Sequence, residues 1–74
     1  MADGFVHTVH KGGSWVNEIE GGAQLPGTHA TKDEAVEAGR AEARRRKTEH
    51  VIHNLDGSFG ERNSYGGDSP DRSG

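Results

Sequence analysis

Residues 5–11 read F-V-H-T-V-H-K, a run of β-forming residues with no helix breaker. Gly12 and Gly13 follow at once and suit a tight turn with positive φ. Along residues 14–20, S-W-V-N-E-I-E, positions alternate: Trp15, Asn17 and Ile19 face one way, Val16, Glu18 and Glu20 the other. Together the two runs predict a β-hairpin. Residues 21–27 open on Gly-Gly and end on Pro-Gly, which predicts a loop. Residues 28–30 are expected to extend briefly as a further short strand.

The period then changes from two to that of a helix. Thr31 and Glu34 form the Thr-x-x-Glu pattern of a capping box, and Asp33 and Glu34 sit where a helix N-terminus favours negative charge. Arg44, Arg45, Arg46 and Lys47 stand where the C-terminus favours positive charge. Between them Ala35, Val36, Gly39 and Ala43 fall on one side. The spacing predicts one helix over residues 31–47 whose small-residue side lies close on a sheet. Gly39 costs helix propensity and permits a close approach.

Residues 50–55, H-V-I-H-N-L, read as a strand, Asp56-Gly57 as a type I′ turn, and residues 59–65 as the returning strand, weakened by Gly60. From Gly66 onward no apolar residue occurs. Residues 1–66 are therefore expected to form one α+β domain, an antiparallel sheet of two hairpins with one helix on one face, and residues 67–74 a disordered tail. A single helix covers only one face of such a sheet, so the other is wet or covered by a partner chain.

Composition narrows the function. The chain has 74 residues, of which only 28% are hydrophobic and twelve are glycine, so the core is thin and stability marginal unless a partner or a second copy helps. It has no cysteine, which excludes disulfides, thiolate metal sites and a cysteine nucleophile. No apolar run spans a bilayer, and the first residues lack the pattern of a signal peptide, so a cytoplasmic protein without membrane contact is expected. A net charge of −3 gives no overall attraction to nucleic acid.

In sequence order, the opening Val-His strand, Gly-Gly-Ser-Trp-Val at 12–16, Thr-Lys-Asp-Glu-Ala-Val-Glu-Ala-Gly-Arg at 31–40, Val-Ile-His-Asn-Leu-Asp-Gly-Ser-Phe at 51–59 and Glu-Arg-Asn-Ser-Tyr-Gly-Gly-Asp at 61–68 resemble the small bacterial proteins of the domain of unknown function 2188 family. The resemblance covers residues 5–68. It implies the fold class and a bacterial or bacteriophage origin, and it carries over no activity, cofactor or site residue. Gly67 stands where asparagine is common in that family.

Candidate chemistry is sparse. The five histidines include two His-x-x-His pairs, His7 with His10 and His50 with His53. On strands each pair points to opposite faces, so a metal site needs one histidine from each hairpin, such as His10 and His53, and finds no third ligand. Otherwise they are expected to be exposed or half-buried and to titrate near neutrality. Arg40, Arg44, Arg45, Arg46 and Lys47 are candidate phosphate contacts, but Glu37 and Glu42 are placed to pair with Arg40 and Arg46. Trp15 is expected to fix the helix onto the first hairpin. No nucleophile elbow and no phosphate loop occurs, so neither enzyme activity nor a cofactor is expected. The leading expectation is a non-catalytic interaction module that self-associates or binds a protein partner. The alternative is a nucleic-acid-binding accessory protein.

Overall fold

The computed structural model describes residues 4–66, so the expected tail at 67–74 lies outside the described residues. The elements are β1 (Val6–Lys11), β2 (Ser14–Ile19), α1 (Lys32–Arg46), β3 (Glu49–His53) and β4 (Phe59–Ser64). They form an α+β fold with one four-stranded sheet in the order β2-β1-β3-β4. Both hairpins are antiparallel, but β1 and β3 join them in parallel, with Val6 opposite His50 and Thr8 opposite Ile52. The sheet is thus mixed, where an antiparallel one was expected.

The loop after β2 accounts for the parallel junction. It turns back beside β2 and bridges Gln24 to Glu18 and His29 to Trp15. Leu25 N–H donates to the Asn17 carbonyl, and His29 and Trp15 exchange backbone bonds of 2.8 and 2.9 Å. The anticipated short strand at 28–30 is this single bridge at His29. The loop delivers the chain to the far end of the sheet, and a 15-residue helix, roughly 22 Å long, brings it back to the end where β1 began. From there β3 has to run alongside β1.

Local chemistry matches the element ends. Gly12 and Gly13 take φ of 56° and 88°, as a two-residue hairpin requires. Thr31 caps the helix, its hydroxyl accepting from Glu34 N–H at 3.2 Å. The helix ends where Lys47 turns left-handed, at φ 57°, and Thr48 N–H reaches back to the Ala43 carbonyl. The second hairpin departs from the expected type I′ turn. Its loop runs over residues 54–58, Gly57 takes a positive φ, and the Asp56 carboxylate accepts from both Ser58 N–H and Ser58 O–H. That side-chain turn replaces the backbone turn that Asp-Gly alone predicts, and it pulls Asp56 below the usual carboxylate range through its bonds from Ser58.

The helix packs on β1, β2 and β3 through buried Ala35, Gly39 and Ala43. The apolar core consists of Val6, Trp15, Val16, Ala35, Ala43, Val51 and Ile52. Lys32, in the first helical turn, lies over the Trp15 ring at 5.8 Å, so the tryptophan does sit under the helix start. The helix does not reach β4. Leu55 and Phe59, candidates for the core by type, are 67% and 62% exposed at the outer end of that hairpin.

Candidate functional site

By register, Val6, Thr8 and His10 of β1, Trp15, Asn17 and Ile19 of β2, and His50 and Ile52 of β3 share the face under the helix. The centre of that interface is polar. Asn17 Nδ2 donates to the Ala35 carbonyl of the helix at 3.0 Å, which turns Asn17 Oδ1 toward Thr8. The Thr8 hydroxyl donates its one proton to Asn17 Oδ1 at 2.5 Å. Its oxygen therefore accepts, and the donor is His50 Nε2–H at 2.6 Å. His50 therefore carries a proton on Nε2.

Thr8, Asn17 and His50 are all buried, with Thr8 and His50 at 0% exposure. Gly39 is what lets the helix close over them. A Cβ there would lie 2.6 Å from His50 Nε2 and 2.8 Å from Thr8 Oγ1.

His50 was expected to be exposed or half-buried and to titrate near neutrality; the structure overturns both. Burial, with the Arg40 charge adding to it, pushes His50 down to about 4. Protonation would also put a second N–H at Nδ1, which is buried and has no partner among the described residues. Alternation along the chain set His50 and His53 on opposite faces but fixed neither which of those faces meets the helix nor the depth, and Glu49–His53 buries His50 and Ile52 on the helix face and Val51 on the other.

On the opposite face the two hairpins bring a different pair of histidines together. His7 Nδ1 and His53 Nε2 lie 2.9 Å apart, and His7 Nε2 donates to Glu20 Oε1 at 3.1 Å. The pair foreseen from sequence, His10 with His53, is split between faces. The parallel register sets His7 opposite Val51, so His53 shares the parity of His7, and His10 packs edge-on against Trp15 at 5.0 Å instead. Among the described residues no group of three or more histidines and carboxylates gathers into a metal-ligand cluster.

The five candidate phosphate contacts lie along the second half of the helix and its end. Arg40 pairs with Glu37 at 3.0 Å, Arg45 with Glu42 at 2.5 Å, and Arg46 with the same Glu42 carboxylate. The bond from Arg46, and after it Arg45, holds Glu42 below the usual carboxylate range. Arg44 and Lys47 are exposed and have no carboxylate partner among the described residues. No described helix is long and apolar enough to cross a membrane.

No curated protein and no solved structure matches the chain. The sequence model of a family described as an uncharacterized protein conserved in bacteria (DUF2188) matches residues 6–65. That span takes in both hairpins, the helix and every residue of the Thr8–Asn17–His50 network, and the chain belongs to this family.

Proposed function

We propose that the protein is a small non-catalytic interaction module that pairs with a second copy of itself through β4. The observation that supports this most is the unequal treatment of the two sheet edges. The chain's own loop covers β2, whereas β4 lies beyond the helix, and its outer edge has no backbone partner among the described residues. Exposed N–H and C=O rows of this kind template strand addition. Because only one edge is bare among the described residues, two copies meet β4 to β4, which closes as a two-fold dimer rather than growing into a filament. Strand β4 carries Glu61 and Arg62 and is neutral overall, so two copies approach without net repulsion. Exposed Leu55 and Phe59 at the end of the strand add apolar surface to bury.

Light scattering from dilute to concentrated protein tests the reading. A rise in mass toward the dimer is expected, together with slowed amide exchange on β4. A lysine at Phe59 or Leu55 should weaken the association without unfolding the chain, since neither packs in the core. A strict monomer throughout would overturn the proposal. The nucleic-acid reading has less behind it: Arg40, Arg45 and Arg46 already face carboxylates, leaving Arg44 and Lys47 for phosphate.

A further inference from the structure

The contact between His7 and His53 joins the two hairpins across the β1–β3 junction on the face away from the helix. The Glu20 carboxylate accepts from His7 Nε2–H, so in neutral His7 the other nitrogen, Nδ1, carries a lone pair. This is the arrangement in which a carboxylate orients a metal-binding imidazole and raises its basicity. His7 Nδ1 points at His53 Nε2, and the nitrogens are the nearest points of two rings whose centroids are 5.2 Å apart and whose planes differ by 23°. In the absence of an ion, His53 Nε2–H fills the gap as a hydrogen-bond donor.

We propose that His7 Nδ1 and His53 Nε2 form a two-histidine site for a divalent late transition-metal ion such as Zn2+ or Ni2+, with Glu20 as a positioning residue and water completing the coordination. Imidazole nitrogens suit these ions. Tetrahedral zinc with Zn–N bonds of about 2.0–2.1 Å sets two nitrogens about 3.3 Å apart, so the rings must part by a few tenths of an ångström from 2.9 Å and tilt toward a common point. His7 is only half-buried and His53 stands at the strand end, so both rings have room to do so. The proton balance is simple: His53 moves its proton from Nε2 to Nδ1 as the ion takes its place, and none is released from the neutral pair. Two protein ligands make an open and exchangeable site rather than a structural one. Its consequence is a clip between β1 and β3, which pair over only three residues. An ion bound only by the folded chain stabilises it by mass action.

The test uses the untagged full chain titrated with ZnCl2 and with NiCl2. Calorimetry should give one ion per chain. Histidine side-chain 15N spectra should show the His7 and His53 nitrogens shifting together while those of His10 and His50 stay still. His7→Ala and His53→Ala should each lower affinity at least about tenfold, and Glu20→Gln by about tenfold while both imidazoles still respond. His10→Ala should bind as the natural chain does. The melting temperature should rise with the ion only where both histidines are present. Should His7→Ala not fold, His53→Gln, at the end of β3, asks the same question. Unaltered affinity in both histidine variants, or a titration that leaves the two imidazoles unmoved, would overturn the site. Neither result depends on whether the chain dimerises through β4.

Discussion

The two faces of one sheet treat the same residue types in opposite ways. Under the helix, Thr8, Asn17 and His50 are sealed from water and every proton between them has an assigned acceptor. On the other face His7, His53 and Glu20, and the Lys11–Glu18 pair, make comparable contacts partly open to solvent. A buried hydrogen-bonded group is costly to leave unpaired, whereas water readily replaces an exposed partner. A histidine side chain that exchanges its partners with solvent on the open face is therefore a fixed neutral donor at His50 on the covered one. Both faces clamp the β1–β3 junction, but only the covered clamp should matter much to stability at neutral pH.

Acid should give the largest effect and breaks the covered clamp first. His50 has a folded pKa of about 4 against 6.5 for the ordinary imidazole, so between these values the unfolded chain binds more protons. The stabilisation is complete above pH 6.5 and falls as pH drops toward 4, by on the order of 3 kcal/mol in all. Denaturant titrations at steps through this window measure it. In His50→Gln, whose amide can still donate to Thr8 but does not titrate, the slope in this window should flatten. An equal slope in that variant would place the proton uptake elsewhere.

Gly39→Ala comes next. Alanine ordinarily improves a helix over glycine by up to about 1 kcal/mol. Here the added methyl would meet His50 Nε2 at 2.6 Å and Thr8 Oγ1 at 2.8 Å. Overpacking costs about 1–3 kcal/mol, and shifting the helix also loosens the bond from Asn17 to the Ala35 carbonyl. We expect a net loss of about 2 kcal/mol by chemical denaturation. A more stable variant would show that the helix does not press on the polar network.

This substitution also shows how far the sequence could be read. Of the side Ala35, Val36, Gly39 and Ala43 that announced a close approach, all but the half-buried Val36 are buried, and alternation on β2 put Trp15, Asn17 and Ile19 on one face, as found. What Gly39 approaches was not legible, because Thr8, Asn17 and His50 come from three strands and meet only once strand order and register are set. The parallel β1–β3 junction depends on the loop after β2 folding back along that strand, a path no local pattern encodes. The same register decided that His7, and not His10, would meet His53. The loop at Asp56 escaped because a carboxylate accepting from Ser58 competes with the backbone turn that Asp-Gly suggests. The partial neutralisation of the arginine cluster, by contrast, was visible from Glu37 and Glu42 at helical spacing.

The smallest effect sharpens the contrast from the open side. Lys11 and Glu18 pair diagonally across the first hairpin, and their side chains are 57% and 28% exposed. The attraction acts largely through solvent, and holding both chains in one geometry has an entropic cost that offsets most of it. Lys11→Ala should therefore change stability by no more than about 0.5 kcal/mol. Added salt should erase even that difference, because screening weakens exposed pairs more than buried ones. The measurement is denaturant unfolding of the two proteins at low and high salt. A loss comparable to that of Gly39→Ala, persisting in salt, would mean that Lys11–Glu18 is shielded from water after all, as it would be if a second copy covered this face in solution.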